Sequence, residues 1–249
     1  MSGHSKWANI KHRKAASDAK KGKIYTKFAR EIESAARMGG GDLSSNYTLR
    51  LAVDKAKGMN MPTDNIDRAI KRGTGESQNE ALEELYYEAY GPGGTAMIFK
   101  CLTDNRNRTV GDLRSVLKKG GGSLAENGAV SWQFENKGVI MIPADGVDVD
   151  EVMLLAIDAG AEDVFPDEET IEVHTARTDL QSVAENLRQA GLNLESIELS
   201  MIPQHKMEDL TTDDQVQIMG LIDRIEDLDD VLEIYTNIEF SEAAMEAAG

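Results

Sequence analysis

The sequence predicts a multi-domain α+β fold: an N-terminal three-helix domain, an α/β middle domain, and a ferredoxin-like domain inserted in it. Three observations carry this. Apolar residues recur at helical spacing up to about residue 73, and mixed strand and helix patterns take over from about residue 78. Residues 138–202 then read in the order β-α-β-β-α-β, that of a ferredoxin-like unit. Beyond it only a helix and a strand remain. They are too little to stand alone, so they are expected to complete the sheet begun by residues 95–134. The expected ranges are 1–77 for a basic arm plus helical domain, 78–136 with 209–240 for the discontinuous α/β domain, 137–208 for the insertion and 241–249 for a tail.

The elements follow in chain order. Residues 1–16 have neither a 2- nor a 3.6-residue apolar period and read as a mobile arm. Ser17-Asp18 is a helix start; Ile24, Phe28, Ile32 and Ala35 then lie on one helical face, and Gly39-Gly40-Gly41 stops it. A second helix from about Asn46 carries Leu49, Ala52, Val53 and Ala56 inward, and Gly58 breaks it. Pro62-Thr63-Asp64 opens a third, with Ile66, Ala69 and Ile70 inward and Gly73 as its stop. Thr95–Leu102 and Ala129–Phe134 are expected strands flanking a helix over Thr109–Lys119. In the ferredoxin-like segment the strands are Val139–Ile142, Glu162–Phe165, Thr170–Thr175 and Ser196–Ile202. Its helices are Val149–Ala159 and Thr178–Ala190. The final helix and strand are Asp213–Ile225 and Asp230–Asn237.

Composition excludes several classes. One cysteine, Cys101, allows no intrachain disulfide and no Cys-rich zinc site. The longest apolar run, Val152–Ile157, is far below the ~20 residues a membrane helix needs. The four histidines, His4, His12, His174 and His205, show no catalytic signature, so no catalytic residue, metal ligand or cofactor is expected and the chain is read as a non-enzyme. The acidic run Glu226–Asp230 reads as a solvated face. Gly91-Pro92-Gly93-Gly94 and Gly120-Gly121-Gly122 lack a phosphate-loop pattern and read as turns and stops.

Charge is the informative feature. The net charge is −17, yet residues 1–75 carry +9 and the rest −26. Lys6, Lys11, Arg13, Lys14, Lys20, Lys21, Lys23, Lys27 and Arg30 cluster at one end, with His12 and Trp7 among them. Clustered cations neutralise phosphates and release counterions, and an indole can stack on an exposed base. An acidic protein has no solubility need for a basic block, so nucleic-acid binding is the expected role. Arg106 and Arg108, in the loop Asp104-Asn105-Arg106-Asn107-Arg108, form a second candidate contact, although turn chemistry alone accounts for that composition.

These residues also carry a resemblance. Ser2-Gly-His-Ser-Lys-Trp-Ala-Asn-Ile-Lys-His-Arg-Lys14 and Asp18-Ala-Lys-Lys-Gly-Lys23 resemble the opening of the YebC/PmpR family. So do Arg68-Ala-Ile-Lys-Arg-Gly-Thr-Gly75, Tyr90-Gly-Pro-Gly-Gly94, Thr103-Asp-Asn-Arg-Asn-Arg-Thr109 and Gly128 to Trp132. Ser44-Ser45-Asn46-Tyr47 departs from the pattern, where many members carry Asn-Pro, as does Cys101. The resemblance implies a cytoplasmic bacterial protein, with the motif starting at residue 2 and no targeting extension before it. It implies DNA-binding transcriptional regulation, or alternatively a ribosome-associated translation factor that binds rRNA or tRNA and relieves stalling at proline-rich stretches. It also makes Arg106 and Arg108 better candidates than their composition does. No membrane partner is expected; the acidic body could additionally recruit a basic protein.

Overall fold

The computed structural model describes residues 18–75, 82–207 and 209–248, with side chains from residue 22 onward. The described residues form a mixed α+β fold with two antiparallel four-stranded sheets, one in each of two compact units.

The first unit comprises residues up to Ser34 with 82–135 and 202–248. Helix α1 (Asp18–Gly39) enters it through residues 18–34. Its sheet holds β1 (Glu83–Tyr90), β2 (Ala96–Thr103), β3 (Ser123–Leu124) and β8 (Val231–Thr236), in the order β3-β1-β2-β8. The β1–β2 hairpin turns through Gly91-Pro92-Gly93-Gly94. Gly93 and Gly94 sit at φ +67° and +81°, and a Cβ on Gly93 would come 2.4 Å from Leu210. β8 follows the whole second sheet in sequence, yet it pairs with β2, Met97 opposite Thr236 and Phe99 opposite Ile234.

One face of this sheet buries Met97, Phe99 and Ala89 against α4 (Arg106–Lys119) and α7 (Thr212–Glu226). Leu113 and Leu117 from α4 meet Ile218, Leu221, Ile222 and Ile225 from α7, the i, i+3/i+4 spacing of apolar faces. A short helix α8 (Glu242–Ala248) adds Ala244 to this core, where the sequence reads only a tail.

One expected strand is not there. Residues 129–133 form a turn and a 3-10 helix (Ser131–Gln133), and the strand starts only at Phe134. The cause is Glu88, a β1 residue that is 4% exposed. Its carboxylate accepts backbone N–H bonds from Gly128 (2.7 Å), Val130 (2.6 Å) and Ser131 (2.9 Å). A carboxylate thus satisfies donors that a strand would have paired in a ladder. Burial opposes its ionisation, but the N–H groups of Val130, Gly128 and Ser131 outweigh this and hold its pKa below the ordinary 4.5.

The second unit comprises residues 35–75 and 136–201. Helices α2 (Tyr47–Gly58) and α3 (Thr63–Thr74) bury the apolar faces read from sequence, Leu49, Ala52, Val53 and Ala56, then Ile66 and Ala69. Asn46 caps α2 by accepting from Leu49 N (3.0 Å). Its amide also donates to Ala35 O and Gly40 O at the end of α1.

The sheet of this unit holds β4 (Phe134–Pro143), β5 (Asp163–Pro166), β6 (Thr170–Ala176) and β7 (Ser196–Pro203), with helices α5 (Val149–Ala159) and α6 (Leu180–Gln189). The order β5-β6-β4-β7 puts its first and third strands in the centre, as a split βαβ unit requires. Ile140, Ile142, Ile171 and Val173 pack under Val152, Ala156, Leu180, Val183 and Leu187. Gly138 on β4 lets α6 approach. A Cβ there would lie 2.3 Å from Thr175 Oγ1 and 2.7 Å from Leu180 Cβ. Gly138→Ala is therefore expected to destabilise the protein by about 2 kcal/mol, by overpacking. Urea denaturation checks it, with a lower midpoint and an unchanged m-value.

Candidate nucleic-acid interface

Of the residues selected from sequence, Lys6, Trp7, Lys11, His12, Arg13 and Lys14 lie outside the described residues. Lys20 and Lys21 stand on the first turn of α1. The other five meet partners within the first unit.

Lys23, Lys27 and Arg30 are spaced i, i+4, i+7, so α1 presents them on one face. That face meets the acidic turn between α7 and β8. Lys23 pairs with Asp227 at 3.1 Å, and Lys27 Nζ donates to Glu226 O at 2.6 Å. Arg30 donates to Asp229 O (2.9 Å), Leu102 O (3.0 Å) and Asp230 Oδ1 (3.2 Å). Burial lowers the Lys27 pKa although Glu226, Asp229 and Asp227 pull it up. Glu31, also on α1, reaches Lys100 on β2 at 3.7 Å.

Arg106 and Arg108 open α4. Asn105 caps that helix by accepting from Arg108 N at 3.1 Å, so Asn in this loop serves turn chemistry. Arg106 makes a two-pronged pair with Glu83, one arm at 2.7 Å. Arg108 reaches Asp104 at 2.8 Å and Asp230 at 2.9 Å.

Asp230 is the centre of this arrangement. The acidic run Glu226–Asp230 was expected to be a solvated face, but Asp230 is only 6% exposed. It accepts from Arg30, Arg108, Thr103 Oγ1 (3.1 Å) and Thr109 Oγ1 (2.8 Å). Burial disfavours its charge, yet the bonds from Thr109, Arg108, Arg30 and Thr103 prevail and hold its pKa below the ordinary 3.8. A cleft of about 900 Å³ opens here, lined by Arg30 and Arg108 but also by Glu33, Asp104, Asp112, Asp227 and Asp229. Its carboxylates outnumber its guanidiniums, so it repels phosphate rather than gathering it.

Other groups bear on the chemistry. Burial, with Asp230 nearby, pushes the Cys101 thiol up to about 12, far from a reactive thiolate. His174 lies buried on β6, its Nε2 2.8 Å from Glu172 Oε1. Among the described residues no group of three His, Cys, Asp or Glu is placed to hold a metal ion, and no helix is long and apolar enough to cross a membrane.

The sequence reading passed over one cluster of cations. Arg114, Lys118 and Lys119 on α4 are exposed and make no ion pair with any described residue. The signal was present: a basic pair directly before Gly120, with an arginine one helical turn upstream.

Comparison with known proteins gives a consistent outcome. Residues 5–76 match the family model of the TACO1/YebC protein N-terminal domain. Residues 82–238 match that of the TACO1/YebC second and third domain. A relative from Persephonella marina is 51% identical over 99% of this chain and 99% of its own. One from Thermotoga petrophila is 51% identical over 99% and 97%. Both bear the name "Probable transcriptional regulatory protein". The crystal structure of a conserved hypothetical protein from Aquifex aeolicus is similar with a TM-score of 0.83 and 41% identity, over 90% of this chain and 93% of that one.

Proposed function

The chain belongs to the TACO1/YebC family, and from that footing we propose that it regulates gene expression by binding nucleic acid through its basic N-terminal segment. The observation that carries this is the segregation of charge, +9 in residues 1–75 against −26 beyond. The partners of Lys23, Lys27 and Arg30 sharpen it. These residues hold α1 to the acidic turn, and the phosphate contact is assigned to Lys6, Lys11, Arg13, Lys14, Lys20 and Lys21 ahead of them. Arg106 and Arg108 are given the same anchoring role, through Glu83 and Asp230. The segment 137–208 is read as an insertion, because β8 returns to pair with β2.

The names of the relatives favour a transcriptional regulator, and we read it as one that binds DNA in the cytoplasm. The order of residues 2–14 favours a second reading, a translation factor on ribosomal or transfer RNA. This basic segment with one indole has no apolar helical period, which suits irregular RNA better than a duplex groove. The acidic body keeps phosphate away from the rest of the molecule, and recruitment of a basic protein there is compatible with either reading. No catalytic role is proposed.

The test is fluorescence polarisation of the full-length chain with duplex DNA and with folded RNA across a salt series. Binding to one of them should weaken steeply as salt rises. Absence of binding to both at low salt contradicts the proposal.

A further inference from the structure

Helix α4 carries a feature that the basic N-terminal segment does not explain. Its inner face, with Thr109, Leu113 and Leu117, is buried. Its outer face carries Asn107, Gly111, Arg114, Ser115, Lys118 and Lys119, all exposed. Gly111, Ser115 and Lys119 form one i, i+4 row, and Arg114 and Lys118 form the row beside it. The three cations therefore stand together within about one and a half turns. None makes an ion pair with a described residue, although the chain beyond residue 75 carries −26 and spends Arg106 and Arg108 on carboxylates. The single acid of the helix, Asp112, stands two turns before Lys119 and lines the Asp230 cleft.

Helix stability explains only part of this. The last turn of a helix favours cations, which suits Lys118 and Lys119. That effect does not reach Arg114, and it does not ask for Gly111. Glycine in a helix interior is less stable than alanine. A Cβ on Gly111 would meet nothing within 4 Å, so no neighbour within the protein requires the missing side chain. Its use lies outside: Gly111 and Ser115 leave a shallow strip of near-bare helix beside the Arg114–Lys118 row.

We infer that this outer face of α4 docks the sugar-phosphate backbone of a double-helical RNA segment, with Arg114, Lys118 and Lys119 on phosphates and the strip at Gly111 and Ser115 against the ribose edge. The charge complements phosphate and nothing else in the acidic body does. The face carries no apolar or aromatic anchor of the kind that a protein partner's contact needs. A shallow, small-residue surface matches the wide, shallow minor groove of A-form RNA, where 2′-hydroxyls are displayed and the Ser115 hydroxyl finds a partner that DNA lacks. The DNA major groove is deep and asks for a protruding helix instead. The inference rests on the reading of the protein as a nucleic-acid binder, and it names the polymer that this second contact takes.

The full-length chain is titrated by polarisation with a labelled RNA hairpin of ~16 base pairs across a salt series. Parallel arms use the matching DNA duplex and a polyglutamate peptide. Replacing Arg114, Lys118 and Lys119 together by Gln, a good helix former, should lower the RNA salt slope by about 2–3 and weaken binding about 100-fold at 0.1 M salt. The DNA arm should lose less. Gly111→Gln removes no charge. It should raise the urea midpoint and still weaken RNA binding, a combination that a glycine of merely structural use would not give.

A triple variant with wild-type affinity and slope, or a Gly111→Gln variant that binds RNA as tightly as wild type, overturns the inference. The basic N-terminal segment then still accounts for binding, and the proposed function stands. A loss on DNA as large as on RNA overturns it in favour of an unselective phosphate contact. Loss of polyglutamate binding without loss of RNA binding overturns it in favour of an acidic protein partner. No RNA binding by wild type removes the inference outright, and salt-dependent DNA binding in the parallel arm then shows whether the broader reading survives.

Discussion

Asp230→Ala is expected to cost about 3 kcal/mol of stability, measured by urea denaturation. The carboxylate receives two guanidiniums and two hydroxyls, and its removal leaves Arg30 and Arg108 without their shared counter-ion. The estimate sits at the low end for a broken buried pair, because the Arg108 side chain is 46% exposed and water screens part of the loss. A loss of ~3 kcal/mol is a large share of the ~5–15 kcal/mol that holds a typical domain. Asp230→Asn should recover part of it by keeping the shape and one acceptor. The same carboxylate predicts acid sensitivity. Its folded pKa lies below the ordinary 3.8, so its contribution is complete above that value and is lost as pH falls through the folded one. Glu88 acts with the same sign below its ordinary 4.5. Wild type should therefore lose stability below about pH 4 more steeply than Asp230→Asn.

Replacing Lys11, Arg13 and Lys14 together by Ala is expected to weaken nucleic-acid binding roughly 100- to 500-fold at 0.1 M salt. Each lost phosphate contact removes ~0.9 from the log–log salt slope on duplex DNA and ~0.7 on a single strand, so three remove about 2–3. Extrapolated to 1 M salt, variant and wild type should converge. Urea denaturation of the same variant separates a loss of contact from a loss of fold. A comparable triple change at Lys23, Lys27 and Arg30 separates contact from anchoring. Those side chains bind Asp227, Glu226 and Asp230, so their loss should lower the urea midpoint as well.

Much of the fold was legible because its signals are local. The apolar faces of α2 and α3 and the split βαβ order depend on neighbours within a few residues, whereas Gly73, read as the stop of α3, lies buried inside that helix, which runs on to Thr74. The strand β1 was not read, since six of the eight residues of Glu83–Tyr90 are Glu or Tyr, with little apolar alternation; its pairing with β2 determines it. Ala129–Phe134 has strand composition, but a carboxylate some forty residues away takes its amides. Helix α8, almost all Ala and Glu, gave no amphipathic period and forms where Ala244 meets the core.

The candidate site was legible as charge but not as partnership. The basic cluster is a compositional fact. That Arg30 meets Asp230 two hundred residues away follows from β8 returning beside β2, and no local pattern reports it. The exposed Trp132 was hidden for the same reason: it follows Ser131, whose N–H is held by the distant Glu88 carboxylate, in a 3-10 turn where the local pattern reads a strand.

The N-terminal basic segment is the proposed point of contact with nucleic acid. Ultraviolet crosslinking in cells tests it most directly, followed by sequencing of the bound polymer and mass spectrometry of the nucleotide-modified peptides. Adducts are expected on peptides from residues 1–23, with the recovered polymer identifying DNA or RNA. Recovery of no nucleic acid, or adducts confined to residues beyond 23, would contradict it.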